Sequence, residues 1–70
     1  MRSTQYEITI RGRLSDTLLV AFDDLTVSFA GADTVLHGAI VDPAALYGVL
    51  ERIESLGLEL LHVRSTARVR

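Results

Sequence analysis

Cysteine is absent from this 70-residue sequence. That removes disulfides, thiolate metal sites and cysteine nucleophiles together. Lysine is absent as well, so all seven basic residues are Arg. Two readings of this bias stay open: a high-GC coding preference, and a set of guanidinium groups suited to bidentate anion recognition. Long apolar runs are missing too. None approaches the roughly 20 residues of a membrane span, and Met1–Gln5 lacks the apolar segment of a secretory signal. The expectation is a cytoplasmic chain with no membrane partner. Basic excess is lacking: 9 acids face 7 bases, for a net charge of −2, where a nucleic-acid binder is expected to carry a basic stripe. The glycines (12, 31, 38, 48 and 57) match neither GxGxxG nor a Walker pattern.

What is present is a single domain over residues 1–70, with 1–4 and 66–70 expected to be loose. A chain this short buries only about 60% of the surface its unfolded form exposes. Small domains gain support from disulfides, metals or partner chains. With no Cys and no close metal-ligand cluster, self-association is the expected support, and no cofactor is implied.

Tyr6, Ile8, Ile10, Gly12 and Leu14 alternate with Glu7, Thr9, Arg11 and Arg13, the period-2 pattern of a half-buried strand. Gly12 near its end suggests a bulge or close backbone approach. Ser15 and Asp16 are candidate caps for a short helix over about residues 16–23, with Leu18, Leu19 and Phe22 on one side. Leu25, Val27 and Phe29 mark a second strand, 30–33 a turn, and 34–41 a third strand. The better core face of that third strand is Thr34, Leu36, Gly38 and Ile40, leaving His37 outside. Asp42 caps the next helix with Pro43 in its first position. Leu46, Val49, Leu50, Ile53 and Leu56 form its apolar stripe, and Gly57 stops it. Leu58 to Arg64 follows as a last strand, apolar on both faces: Leu58 and Leu60 one way, Leu61 and Val63 the other.

The element order predicts an α+β, ferredoxin-like βαββαβ fold. Its four-stranded antiparallel sheet would run 4-1-3-2 with two helices on one face. The other face has no element to cover it, and function is expected there. Val35, Ala39, Leu61 and Val63 are the candidate dimer interface. Arg11, Arg13 and His37 are the candidate ligand-binding set. RNA is disfavoured, because sheets that bind it stack bases on outward aromatics and none is expected on this face. His37 and His62 are the only side chains that ordinarily titrate near neutrality. With Glu7 or Glu59 they would make a sparse metal site, and ordinary surface histidines are favoured instead. Nothing in the spacing forces Glu7 and His37 into an acid–base pair.

Two resemblances bear on function. Ile10-Arg11-Gly12-Arg13-Leu14-Ser15-Asp16, Leu18-Leu19 and Leu56-Gly57-Leu58-Glu59-Leu60 resemble short, uncharacterised ferredoxin-like proteins of high-GC bacteria, which implies no activity. The order and length are also similar to ACT-type regulatory domains, which bind small molecules at dimer interfaces. In that family an Asp, Pro and Gly cluster usually follows strand 1, whereas Arg13-Leu14-Ser15-Asp16-Thr17 has no Pro or Gly. The expectation is a non-enzymatic, homodimeric interaction or regulatory module. The alternative is a small-molecule-binding ACT-like domain, or a small dimeric enzyme enclosing an apolar ligand.

Overall fold

The computed structural model describes residues 4–65. The chain runs β1 (Thr4–Ile10), α1 (Asp16–Leu19) continuing into a 3-10 turn (Val20–Phe22), β2 (Thr26–Ala30), β3 (Asp33–Ile40), α2 (Pro43–Ser55) and β4 (Leu60–Ser65). The class is α+β. The sheet has four strands in the order β2-β3-β1-β4, which read from the other edge is β4-β1-β3-β2, and every neighbouring pair is antiparallel.

Register explains the division into two faces. Ile8 stands opposite Leu36 on one side and Val63 on the other, and Leu36 stands opposite Val27. These residues face the helices. Ile8, Ile10 and Leu36 are almost completely buried with Leu14, Phe22, Val49 and Ile53 in one cluster. Both helical segments therefore cover the same side of the sheet. Gly38 belongs to that side because Leu25 lies over it: a Cβ there would stand 2.5 Å from Leu25 Cδ2.

Several expected boundaries move. Thr4 is not loose but opens β1, and residues 66–70 lie outside the described residues. β1 ends at Ile10 instead of continuing to Leu14, because Gly12 takes φ 87°, a region open to Gly at no steric cost. There the Arg11 N–H still donates to Glu59 O (2.9 Å). The Gly12 N–H donates to Asp33 Oδ1 (3.0 Å), the Leu14 N–H donates to Thr34 Oγ1 (3.0 Å), and Thr34 Oγ1 donates to Gly12 O (2.7 Å). Side chains of β3 thus replace the strand ladder and turn the chain towards α1. The first helix, expected over about 16–23, is one α turn capped by Ser15 and then a 3-10 turn. The acids Asp23 and Asp24 follow directly, where the helix dipole disfavours them.

The second helix has both its start and its stop signal in working order. Asp42 Oδ1 accepts from the Ala45 N–H (2.8 Å). At the other end the Gly57 N–H donates to Glu54 O and the Leu58 N–H to Ile53 O, with Gly57 at φ 74°. This pair of bonds is a Schellman ending. The turn it makes delays the last strand, which starts at Leu60 rather than Leu58. Arg52, on α2, reaches back to the 3-10 turn. It donates to Ala21 O, lies 3.7 Å from Asp24, and sits over the Phe22 ring.

Thr34 is wholly buried, and its hydroxyl serves both the Leu14 N–H and the Gly12 carbonyl. Thr34→Val keeps the shape and orphans both groups, a loss of about 1–3 kcal/mol. Urea unfolding monitored by circular dichroism reads this directly, and an unchanged midpoint would show that the clip contributes nothing.

Candidate functional site

The sheet face turned away from the helices carries the alternate residues. One cross-strand row reads Arg64, Glu7, His37 and Thr26; the next reads His62, Thr9, Val35 and Ser28. Strand pairing places Glu7 directly between a histidine and an arginine. Arg64 Nη2 donates to Glu7 Oε1 at 2.7 Å. His37 Nδ1 lies 3.8 Å from the other carboxylate oxygen, Oε2. The far ring nitrogen, Nε2, is 2.8 Å from Ser28 Oγ. The four side chains form a continuous line across all four strands: β4, β1, β3, β2.

Electrostatics orders this line. A carboxylate beside Nδ1 favours the neutral tautomer with its proton on that nitrogen. The Nε2 lone pair is then the acceptor, and the Ser28 hydroxyl the donor. Arg64 holds one oxygen of Glu7 and leaves the other to the imidazole. Glu7 is the most sheltered charge of the set, its side chain 24% exposed against 37% for His37 and 62% for Arg64. The acid–histidine pair that sequence spacing leaves undetermined is therefore an in-register pair of β1 and β3.

A profile for a domain of unknown function, DUF8691, matches residues 5–64. The chain belongs to this family. No curated protein and no solved structure matches it. The DUF8691 match takes in the whole Arg64–Glu7–His37–Ser28 line, both helices and nearly all of β4.

Arg11, Arg13 and His37 are not brought together in this DUF8691 domain. Arg11 lies beyond the end of β1, with Nε donating to Glu59 Oε1 at 2.9 Å. Arg13 donates to Gly31 O (3.0 Å) and stacks over Phe29, 4.2 Å from the ring centroid. Each arginine is tied to a different corner of the sheet. The four candidate interface residues also separate. Val35 is on the open face but buried among its neighbours, and Val63 stands opposite Ile8 and packs against the core. Only Ala39 and Leu61 are exposed. His62 stands opposite Thr9, not beside His37. Among the described residues no group of three or more acid or histidine side chains could hold a metal ion. No described helix is long and apolar enough to cross a membrane.

Two grooves lie on the helix side. One, of about 260 Å³, runs between α2 and the approach to β4 and is lined by Leu50, Ile53, Glu54, Leu58 and Leu60. The other, of about 310 Å³, lies beyond the end of β3, with Ile40, Val41, Gly48, Val49, Asp24 and Arg52 among its lining residues. Leu60, which lines the first groove, is 40% exposed, and Leu56 and Leu61 near it in sequence are 39% and 36% exposed. β4 is an outer strand of the sheet among the described residues. The sequence signal for this patch is the run Leu58–Val63, apolar on both faces. Ser28 carries no comparable signal, because it is one serine in an alternating strand.

The tautomer is open to direct measurement. Long-range ¹H–¹⁵N correlation spectra at a pH where His37 is neutral should show its proton on Nδ1. In Glu7→Gln that preference should weaken. A neutral His37 protonated on Nε2 in the unmodified protein would contradict the charge order of the line.

Proposed function

We propose that this chain is a ferredoxin-like interaction domain that works as a homodimer, its two copies joined along the outer edge of β4. The observation that carries the reading is the exposure of Leu60 and Leu61 on β4, an outer strand whose far edge no described segment pairs with, with Leu56 also exposed at the end of α2. An outer strand offers a row of backbone donors and acceptors to another strand, and natural edges are commonly blunted by charge, Pro or a covering element. β4 has Arg64 near its end but two leucines at its start. Two β4 strands running antiparallel about a two-fold axis would satisfy each other's backbone and give one continuous sheet. Such an interface is self-complementary and closes at two copies. The groove beside it, walled by Leu50, Ile53 and Leu58, is placed to receive a partner side chain.

The other outer strand is less suited. Thr26, Ser28 and Ala30 leave β2 little apolar surface, and Phe29, 41% exposed, already has Arg13 stacked on its ring. The open sheet face is also less suited than expected, because its middle row is a charged line and Val35 is enclosed by its own neighbours. The dimer therefore belongs to the strand edge, with Leu61 and Leu60 in place of the set Val35, Ala39, Leu61 and Val63. Small size supports the same reading, since a second chain adds the burial that a domain of this length lacks. The role is that of an interaction or regulatory module in the cytoplasm.

Multi-angle light scattering at micromolar concentration should report a dimer. Leu61→Arg introduces a charge that must be desolvated against its own copy. That variant should scatter as a folded monomer with an unchanged circular dichroism spectrum. A monomer for the unmodified chain, or a dimer that ignores Leu61→Arg, would remove this interface.

A further inference from the structure

We propose that Ser28 is an acyl-accepting nucleophile, activated by His37 and Glu7, and that the open sheet face takes small, unhindered activated esters. This goes beyond the dimer reading and does not rest on it, because pairing along the β4 edge leaves this face open.

The inference comes from the order of atoms, not from the residue types alone. A serine hydroxyl becomes a useful nucleophile when a base within hydrogen-bond reach takes its proton and a third group orients that base. Ser28 Oγ and His37 Nε2 are 2.8 Å apart. Glu7 Oε2 faces the opposite ring nitrogen at 3.8 Å, an ion-pair distance that must shorten for a direct hydrogen bond. Catalytic hydrogen bonds are commonly long before substrate binds. Arg64 fixes the carboxylate through Oε1. The serine, histidine and carboxylate come from β2, β3 and β1, so sheet pairing holds their backbones in one plane.

A backbone donor for the developing oxyanion follows from the hairpin. Gly31 and Ala32 form a two-residue loop between the paired residues Ala30 and Asp33. The positive φ of Gly31, 63°, at the first loop position is what a type II′ hairpin needs. Such a loop closes on a hydrogen-bonded pair, and antiparallel pairs alternate from there. Ala30, Ser28 and Thr26 therefore bond to β3, while the Phe29 N–H points off the outer edge of β2. It belongs to the residue directly after the nucleophile and has no strand partner among the described residues.

The step balances without any added reagent other than water. Ser28 Oγ bonds to the ester carbonyl carbon as its proton passes to His37 Nε2. Collapse of the tetrahedral species breaks the bond to the leaving oxygen, which departs as an alcohol with that proton, or as a phenolate while His37 releases the proton to solvent. Water, deprotonated by His37, then hydrolyses the acyl-serine to a carboxylic acid and restores the hydroxyl. The shallow face, with Thr26, Thr9 and Val35 around the serine, offers no deep pocket, which limits the substrate to a small acyl group such as acetyl.

The test uses the full chain and p-nitrophenyl acetate. Nitrophenolate release is followed by absorbance, and the modified residue is located by intact mass and peptide mapping. The expected result is acetylation at Ser28. It should disappear in Ser28→Ala, fall about 100-fold or more in His37→Gln, the lower range for loss of a general base, and fall less steeply in Glu7→Gln. Ser55→Ala, on the exposed end of α2, should react as the unmodified chain does. Acetylation spread over Tyr or His side chains with none at Ser28, or an undiminished rate in His37→Gln, would overturn the proposal. All the substitutions lie at exposed or half-buried positions, and circular dichroism checks that each variant remains folded.

Discussion

The constraint on which the rest depends is the position of β1 between β3 and β4 with helices on one side only. A strand in that place has its backbone bonded on both edges, so its side chains alone decide the two environments. Ile8 and Ile10 go under α2 and the 3-10 turn and vanish from solvent. Glu7, the residue before Ile8, must then emerge on the opposite face, where β3 and β4 offer His37 and Arg64. The core and the charged line are two consequences of one alternating strand. Neither can be shifted by one residue without destroying both.

The end of that strand matters equally. Gly12 and Thr34 carry the chain out of the ladder without leaving the buried Leu14 N–H unpaired. Through that turn Leu14 joins the core, and α1 arrives on the same side as α2. Arg52 then closes the gap between the helical segments by reaching Ala21 O across the Phe22 ring. A guanidinium acts here as packing as much as charge, its flat group lying over an aromatic. The Arg-only basic set thus has at least two members, Arg13 and Arg52, stacked on rings rather than waiting for an anion.

Much of the architecture was legible from patterns whose physics is local. The alternation around Ile8 marked β1, the stripe from Leu46 to Ile53 marked α2, and Asp42, Pro43 and Gly57 marked its limits. The split of β3 into Thr34, Leu36, Gly38 and Ile40 inside with His37 outside was also legible, since it needs only period two and side-chain size. The helix after β1 was harder. Ser15 begins it as its chemistry suggests, but with only one α turn before the 3-10 turn, periodicity had too few residues to mark where it changes. The four candidate interface residues separate for a different reason. Val35 and Val63 look apolar and available along the strand, yet one is enclosed by its neighbours on the open face and the other faces Ile8.

The sequence by itself determined which segments are strands and helices, and which residues of β1 and β3 share a face. Those properties depend on the spacing of side chains along one segment. Only the tertiary structure decided who stands opposite whom. A slip of two residues between β1 and β3 would keep every side chain on its own face and still separate Glu7 from His37. The bonds that tie Gly12 and Leu14, just past β1, to Asp33 and Thr34 of β3 hold that register, and they act between segments distant in sequence. The orientation of β4 was decided in the same way. Its leucines are apolar on both faces, so only pairing with β1 turns Val63 towards the core and leaves Leu60 and Leu61 at the surface.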